Sequence, residues 1–147
     1  MRWITREKAK VDRIACPWLI KKFVDHTAQF EYVSAQTDWA ALTRQLGDTG
    51  FVYDVPNCLL GHHGDECSFD AIIKHFSLTD SALQLMAKIV RSADTNDKSW
   101  AAEGVGLEAL ADGFRRISRD DFHNQELQFP LYDALYAHCQ ARVAVAR

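Results

Sequence analysis

The chain has 147 residues, 48% of them apolar and 25% charged. That is enough for one domain with a real core, too few for two, and too apolar for a disordered chain. A net charge of -3 argues against a general nucleic-acid binder. Met1 to Lys8 puts charge where the apolar stretch of a signal peptide would begin, and no apolar run approaches membrane-spanning length. The expectation is a cytoplasmic protein without a membrane partner. Its four cysteines, Cys16, Cys58, Cys67 and Cys139, include no Cys-x-x-Cys pair, which fits reduced thiols better than a zinc ribbon or a thioredoxin-type motif.

Trp3-Ile4-Thr5 suggests a short strand. From Cys16-Pro17 onward, Trp18, Leu19, Ile20, Phe23 and Val24 recur at helical spacing, with Pro17 suited to a first turn. Gln29 to Val33 alternates polar and apolar residues, the pattern of a half-buried strand. Thr37 or Asp38 caps a helix over Trp39 to Leu46 that stops at Gly47, and Phe51 to Val55 reads as a buried strand. The first half is thus β-α-β-α-β. Ser68 then caps a helix through Phe76, Thr79 or Asp80 one to about Ala93, and Ser99 one that turns Leu107, Leu110 and Phe114 inward. The last helix covers Asp121 to Val145, with Pro130 restarting or kinking it. Leu131, Leu135 and Cys139 form its apolar stripe, with Tyr132 and Tyr136 beside it. The expected fold class is α+β, a small β-sheet in the N-terminal half and a predominantly helical C-terminal half, in a single compact domain over residues 1–147.

Gly61 to Asp70 packs two histidines, a thiol and three carboxylates into ten residues after the Phe51–Val55 segment. Loops at strand ends commonly build sites. His62 and His63 are candidate metal ligands through neutral imidazole nitrogen, with Asp54 placed to add oxygen. The competing reading is a turn shaped by Gly61 and Gly64 with both histidines facing water. Cys67 precedes the expected helix cap, where the dipole favours the thiolate; it is the candidate catalytic residue for nucleophilic or redox chemistry. The other three cysteines read as core filler. His123 and Glu126 lie three apart on one face of the last helix, the spacing with which bundle proteins build di-iron or manganese centres when a second helix completes the set. The same spacing also arises on solvated faces. Asp94 is a further candidate ligand, or a helix-end residue. Arg13 and Arg91 are candidates for bidentate oxyanion binding, or for pairing with internal carboxylates. No Gly-rich phosphate loop, His-Glu-x-x-His helix or Gly-x-Ser-x-Gly elbow is present.

Trp3-Ile4-Thr5-Arg6 followed by Lys10-Val11-Asp12-Arg13-Ile14-Ala15-Cys16-Pro17-Trp18-Leu19-Ile20 resembles the opening of the ChrB C-terminal domain family, chromate-resistance proteins also labelled chromate resistance exported proteins. The resemblance continues through Tyr53-Asp54-Val55-Pro56, His62-x-Gly64-x-x-Cys67-Ser68-Phe69-Asp70, Ile89-Val90-Arg91-x-Ala93-Asp94 and Leu131-Tyr132-Asp133-Ala134-Leu135-Tyr136, nearly the whole chain. It implies a place in chromate operons, where longer ChrB proteins regulate chromate-responsive expression, and kinship with domains fused behind rhodanese-like sulfurtransferases. Chromate as an oxyanion ligand and a rhodanese-like or regulatory partner protein follow as expectations. The sequence contains neither that regulatory region nor a rhodanese domain, so DNA binding and sulfur transfer are not expected of it. The resemblance matches at His62, Gly64 and Cys67, whereas the position of His63 varies in the family, which favours His62; it also draws in Asp12, Arg13 and Asp94.

Three functional readings result. The first is a chromate-resistance-associated domain with a metal or oxyanion site, in which His62, Asp94, His123 and Glu126 hold iron, zinc or manganese and Arg13 contacts the anion. The second is a metal-dependent hydrolase or redox enzyme that uses His62 and Cys67. The third is a non-catalytic chromate-sensing or partner-binding module reached through the basic segment of residues 1–22, where Arg2, Arg6, Lys8, Lys10, Arg13, Lys21 and Lys22 stand against only Glu7 and Asp12. The first ranks highest because it claims least about turnover.

Overall fold

In the computed structural model, which describes residues 1–146, β1 (Arg2–Arg6), β2 (Gln29–Val33) and β3 (Gly50–Val52) form a parallel sheet in the order β2-β1-β3. Arg2 registers with Gln29 on one side and Gly50 on the other. A Cβ at Gly50 would run into the Arg2 carbonyl, so this close pairing requires glycine. With β1 central, successive residues enter different cores. Ile4 joins Leu46, Val52 and Val55 under Trp39 and Leu42 of α2 (Trp39–Leu46). Trp3 enters the larger core with α1 (Asp12–Leu19), α3 (Ser68–His75), α4 (Ser81–Asp94), α5 (Gly104–Ile117) and α6 (Asp121–Val145). The result is one compact α+β domain, with the sheet in the N-terminal half and four of the six α-helices after it. All four cysteines are free. No helix among the described residues is long and apolar enough to cross a membrane.

Several elements differ from the sequence expectation for identifiable reasons. Helix α1 begins at Asp12, ahead of Cys16, and carries Pro17 within it. Proline has no N–H for the Arg13 carbonyl one turn back, and the Tyr32 hydroxyl donates to that carbonyl at 3.1 Å. The expected strand over Phe51–Val55 stops at Val52, because Asp54 takes a left-handed backbone (φ 51) that turns the chain. Cys67, not Ser68, is the N-cap of α3; its N–H donates to Asp70 Oδ2 at 3.0 Å. Ser99 lies in a short 3-10 turn, and α5 starts at Gly104. Leu107 and Ala111 are buried, whereas Leu110 is 50% exposed. Helix α6 continues through Pro130, since the carbonyl it leaves free, at Glu126, is on an exposed face. Its fully buried residues are Asn124, Gln128, Tyr132 and Cys139, with Leu131 and Leu135 only partly covered.

Candidate metal centre

The carboxyl ends of β1 and β3 open onto the start of α1 and the end of α4, the end of a parallel sheet where ligands usually bind. The start of α1, the turn after β3 and the end of α4 each deliver one carboxylate. Asp12 is the first residue of α1 and is 1% exposed. Both of its oxygens are held by the N-terminus of α3: the Ser68 N–H donates to Oδ2 at 2.7 Å and the Phe69 N–H to Oδ1 at 3.2 Å. Asp54 follows β3, where the Ser68 hydroxyl donates to its Oδ1 at 2.7 Å and Arg13 Nε lies 3.3 Å from its Oδ2. Asp94 closes α4, and its Oδ1 accepts the Asp12 N–H at 3.4 Å.

His62 completes the cluster. Its Nε2 lies 3.0 Å from Asp94 Oδ2, 3.3 Å from Asp54 Oδ1 and 3.5 Å from Asp12 Oδ2. One imidazole nitrogen carries at most one hydrogen and satisfies only one of three carboxylates well. The facing carboxylates, Asp12 first, push His62 up to about 12. Burial, then the charge of Asp94, pushes the Asp12 carboxyl up to about 7. Three acids face two cations, His62 and Arg13, so the cluster retains negative charge once all are ionised. A divalent ion with neutral imidazole would balance it. Ligand atoms of Asp12, His62 and Asp94 lie within 4.8 Å of one another, close enough for one ion. One nitrogen and two carboxylate oxygens suit iron, manganese or zinc. The site meets solvent at His62 and Asp94, whose side chains are 41% and 20% exposed, and is closed at Asp12 and Asp54, at 1% and 5%.

The structure brings together His62, Asp94 and Asp12, with Asp54 beside them. It does not bring His123 and Glu126 to them. His123 Nδ1 accepts the Arg119 N–H at 3.1 Å across the first turn of α6, and Glu126 is exposed. The inward face of α6 belongs to Asn124, which donates to the Ala9 carbonyl at 3.0 Å, and to Gln128 and Tyr132. His63 faces away too, its Nε2 2.9 Å from the Leu59 carbonyl.

Cys67 is buried, and its thiol is pushed well up by burial and by the charges of Asp12 and Asp70. Burial, with the neighbouring carboxylates, therefore overrules the helix dipole expected to favour its thiolate. Cys16 is likewise pushed up, chiefly by burial, and its Sγ–H points to Asp12 Oδ1 at 3.3 Å. Arg13 is already engaged, since besides Asp54 its Nη1 donates to the Glu7 carbonyl at 3.0 Å. Arg91 donates twice to Asp70, at 2.6 and 3.1 Å. Sequence spacing missed Asp12 as a ligand. An acid opening a helix reads as a dipole partner, and only its place in the Val11-Asp12-Arg13 block marked it out. Ser68, taken for a cap, instead holds two of the three carboxylates.

A family model described as "ChrB, C-terminal domain" matches residues 3–139. Protein ChrB of Cupriavidus metallidurans is 33% identical over 139 residues, which cover 93% of this chain and 40% of that relative. The chain thus matches less than half the length of this curated relative. No solved structure matches.

Proposed function

Because the chain belongs to the ChrB C-terminal domain family, we propose that it serves chromate resistance as a cytoplasmic metal-binding domain, with Asp12, His62 and Asp94 holding one divalent ion. The observation that carries this reading is the approach of three carboxylates to the single Nε2 of His62. Such a cluster is costly without a further cation, and its nitrogen and oxygen donors suit iron, manganese or zinc. Asp54 stands beside the ion, held by Ser68 and Arg13, and the two thiols stay protonated and outside the ligand set. Four free cysteines fit a reducing compartment.

Elemental analysis of protein purified without added metal tests the reading. Near-stoichiometric iron, manganese or zinc is expected, together with a lower melting temperature in chelator. Asp94→Asn and His62→Ala should each weaken binding by roughly 10- to 100-fold or more, the range that loss of a supporting partner alone produces. Substoichiometric metal with stability unchanged in chelator would overturn it.

A further inference from the structure

We infer that the open side of this centre takes a small anion whose oxygens are shared between the metal and Arg6, an inference that rests on the metal reading above. Arg6 ends β1 and, with Asp54, Val55, Pro56, Asn57 and His62, lines a cavity of about 190 Å³. The other arginines around the cluster are matched: Arg13 to Asp54, Arg91 to Asp70, and farther out Arg2 to Glu31. Arg6 has no side-chain hydrogen bond or ion pair among the described residues, and its Nε is buried without an acceptor. A buried donor left unsatisfied is destabilising, more so on a charged group, unless a ligand completes it.

Nearby acids cannot fill the role. Asp54 Oδ2 faces Arg13, and its Oδ1 accepts from Ser68. Arg6 also lies close enough to Arg13 for its charge to act on that guanidinium, so positive charge gathers on this wall of the cavity. His62, partly exposed, lines the same cavity, and three protein ligands would leave coordination positions on an ion free for a further ligand. A planar guanidinium that shares a small cavity with His62, a ligand candidate, suits a ligand with one oxygen for the Arg6 fork and another for an ion held by His62. The volume is below that of pockets for nucleotides or drug-sized molecules, which limits the ligand to a tetrahedral oxyanion or a short carboxylate. Arg13, the sequence candidate for the anion contact, is the positioning group for Asp54, and Arg6 is the contact.

Calorimetric titration of the zinc-loaded protein with sulfate and, separately, with oxalate tests the inference and distinguishes the two anion classes. The wild-type chain should bind at least one of them. Arg6→Gln should weaken that binding tenfold or more while leaving zinc stoichiometry unchanged and the anion-free melting temperature no lower. Arg6→Lys, which keeps charge without the fork, should fall between the two. Binding of neither anion by wild type, or equal binding by Arg6→Gln, overturns the inference while the metal reading stands. A chain that takes up no metal overturns both, and the zinc titration made first separates these outcomes.

Discussion

Asp12 and His62 hold protons in the folded, metal-free domain that the unfolded chain would release. Asp12 is raised from 3.8 to about 7 and His62 from 6.5 to about 12. Between about pH 4 and 7 the native state therefore binds more protons than the unfolded state at Asp12, and stability falls as pH rises through that window. His62 extends the same trend above pH 6.5. Its contribution is reduced by solvent, since its side chain is 41% exposed. A metal ion needs both groups deprotonated, so its affinity should rise with pH over the range where the free protein weakens. The expected result is a melting temperature that drops by several degrees from pH 5 to 7.5 in chelator, and by less in excess manganese or zinc. A chelated protein that gains stability across that range would show that the cluster holds no such protons.

Element order was largely readable from sequence, because apolar spacing, Asp38 and Asp80 caps and the stop at Gly47 are local signals. What periodicity could not supply is which helix face packs. His123 and Glu126 share a face of α6, but the face turned inward is that of Asn124, Gln128 and Tyr132. Leu110 was misplaced for a related reason: the face of α5 turned inward is that of Gly104, Leu107 and Ala111, with Gly104 seated against Ser92 of α4. A Cβ at Gly104 would collide with the Ser92 side chain and backbone, and Ser92 is fully buried. Gly104→Ala should thus destabilise the domain by about 1–3 kcal/mol. Because Asp94 lies two residues beyond Ser92 on α4, the same change should also weaken metal binding. Urea denaturation with an unchanged slope and a lower midpoint would register the first effect, and metal titration the second. Unaltered values in both would mean that α5 yields without moving α4.

The candidate site is a property of the whole molecule, since its groups come from positions 12, 54, 62 and 94 and meet only when the sheet and helices have closed. The histidine loop was legible because its ligand types are adjacent in sequence; the acids that face it are not. Closure depends in turn on α6, where Asp121 accepts the Lys8 N–H at 2.8 Å and the Ala9 N–H at 2.7 Å, more than a hundred residues away. These bonds fix the segment that leads into Asp12, with Lys8 in a left-handed conformation (φ 64). Asp121→Ala leaves the partly buried Ala9 N–H without its partner and the exposed Lys8 N–H to water, and should cost about 1–3 kcal/mol. Asp121 is no ligand, so the ligands remain present and metal should restore much of the loss. Free metal at 100 times its dissociation constant adds roughly 2.7 kcal/mol to a native state that alone binds it. Thermal melts with and without manganese or zinc should therefore show metal-loaded Asp121→Ala brought up to about the melting temperature of the wild-type chain in chelator. An Asp121→Ala chain that gains nothing from metal would mean that the loss of these two bonds keeps the segment carrying Asp12 from bringing its carboxylate to His62 and Asp94.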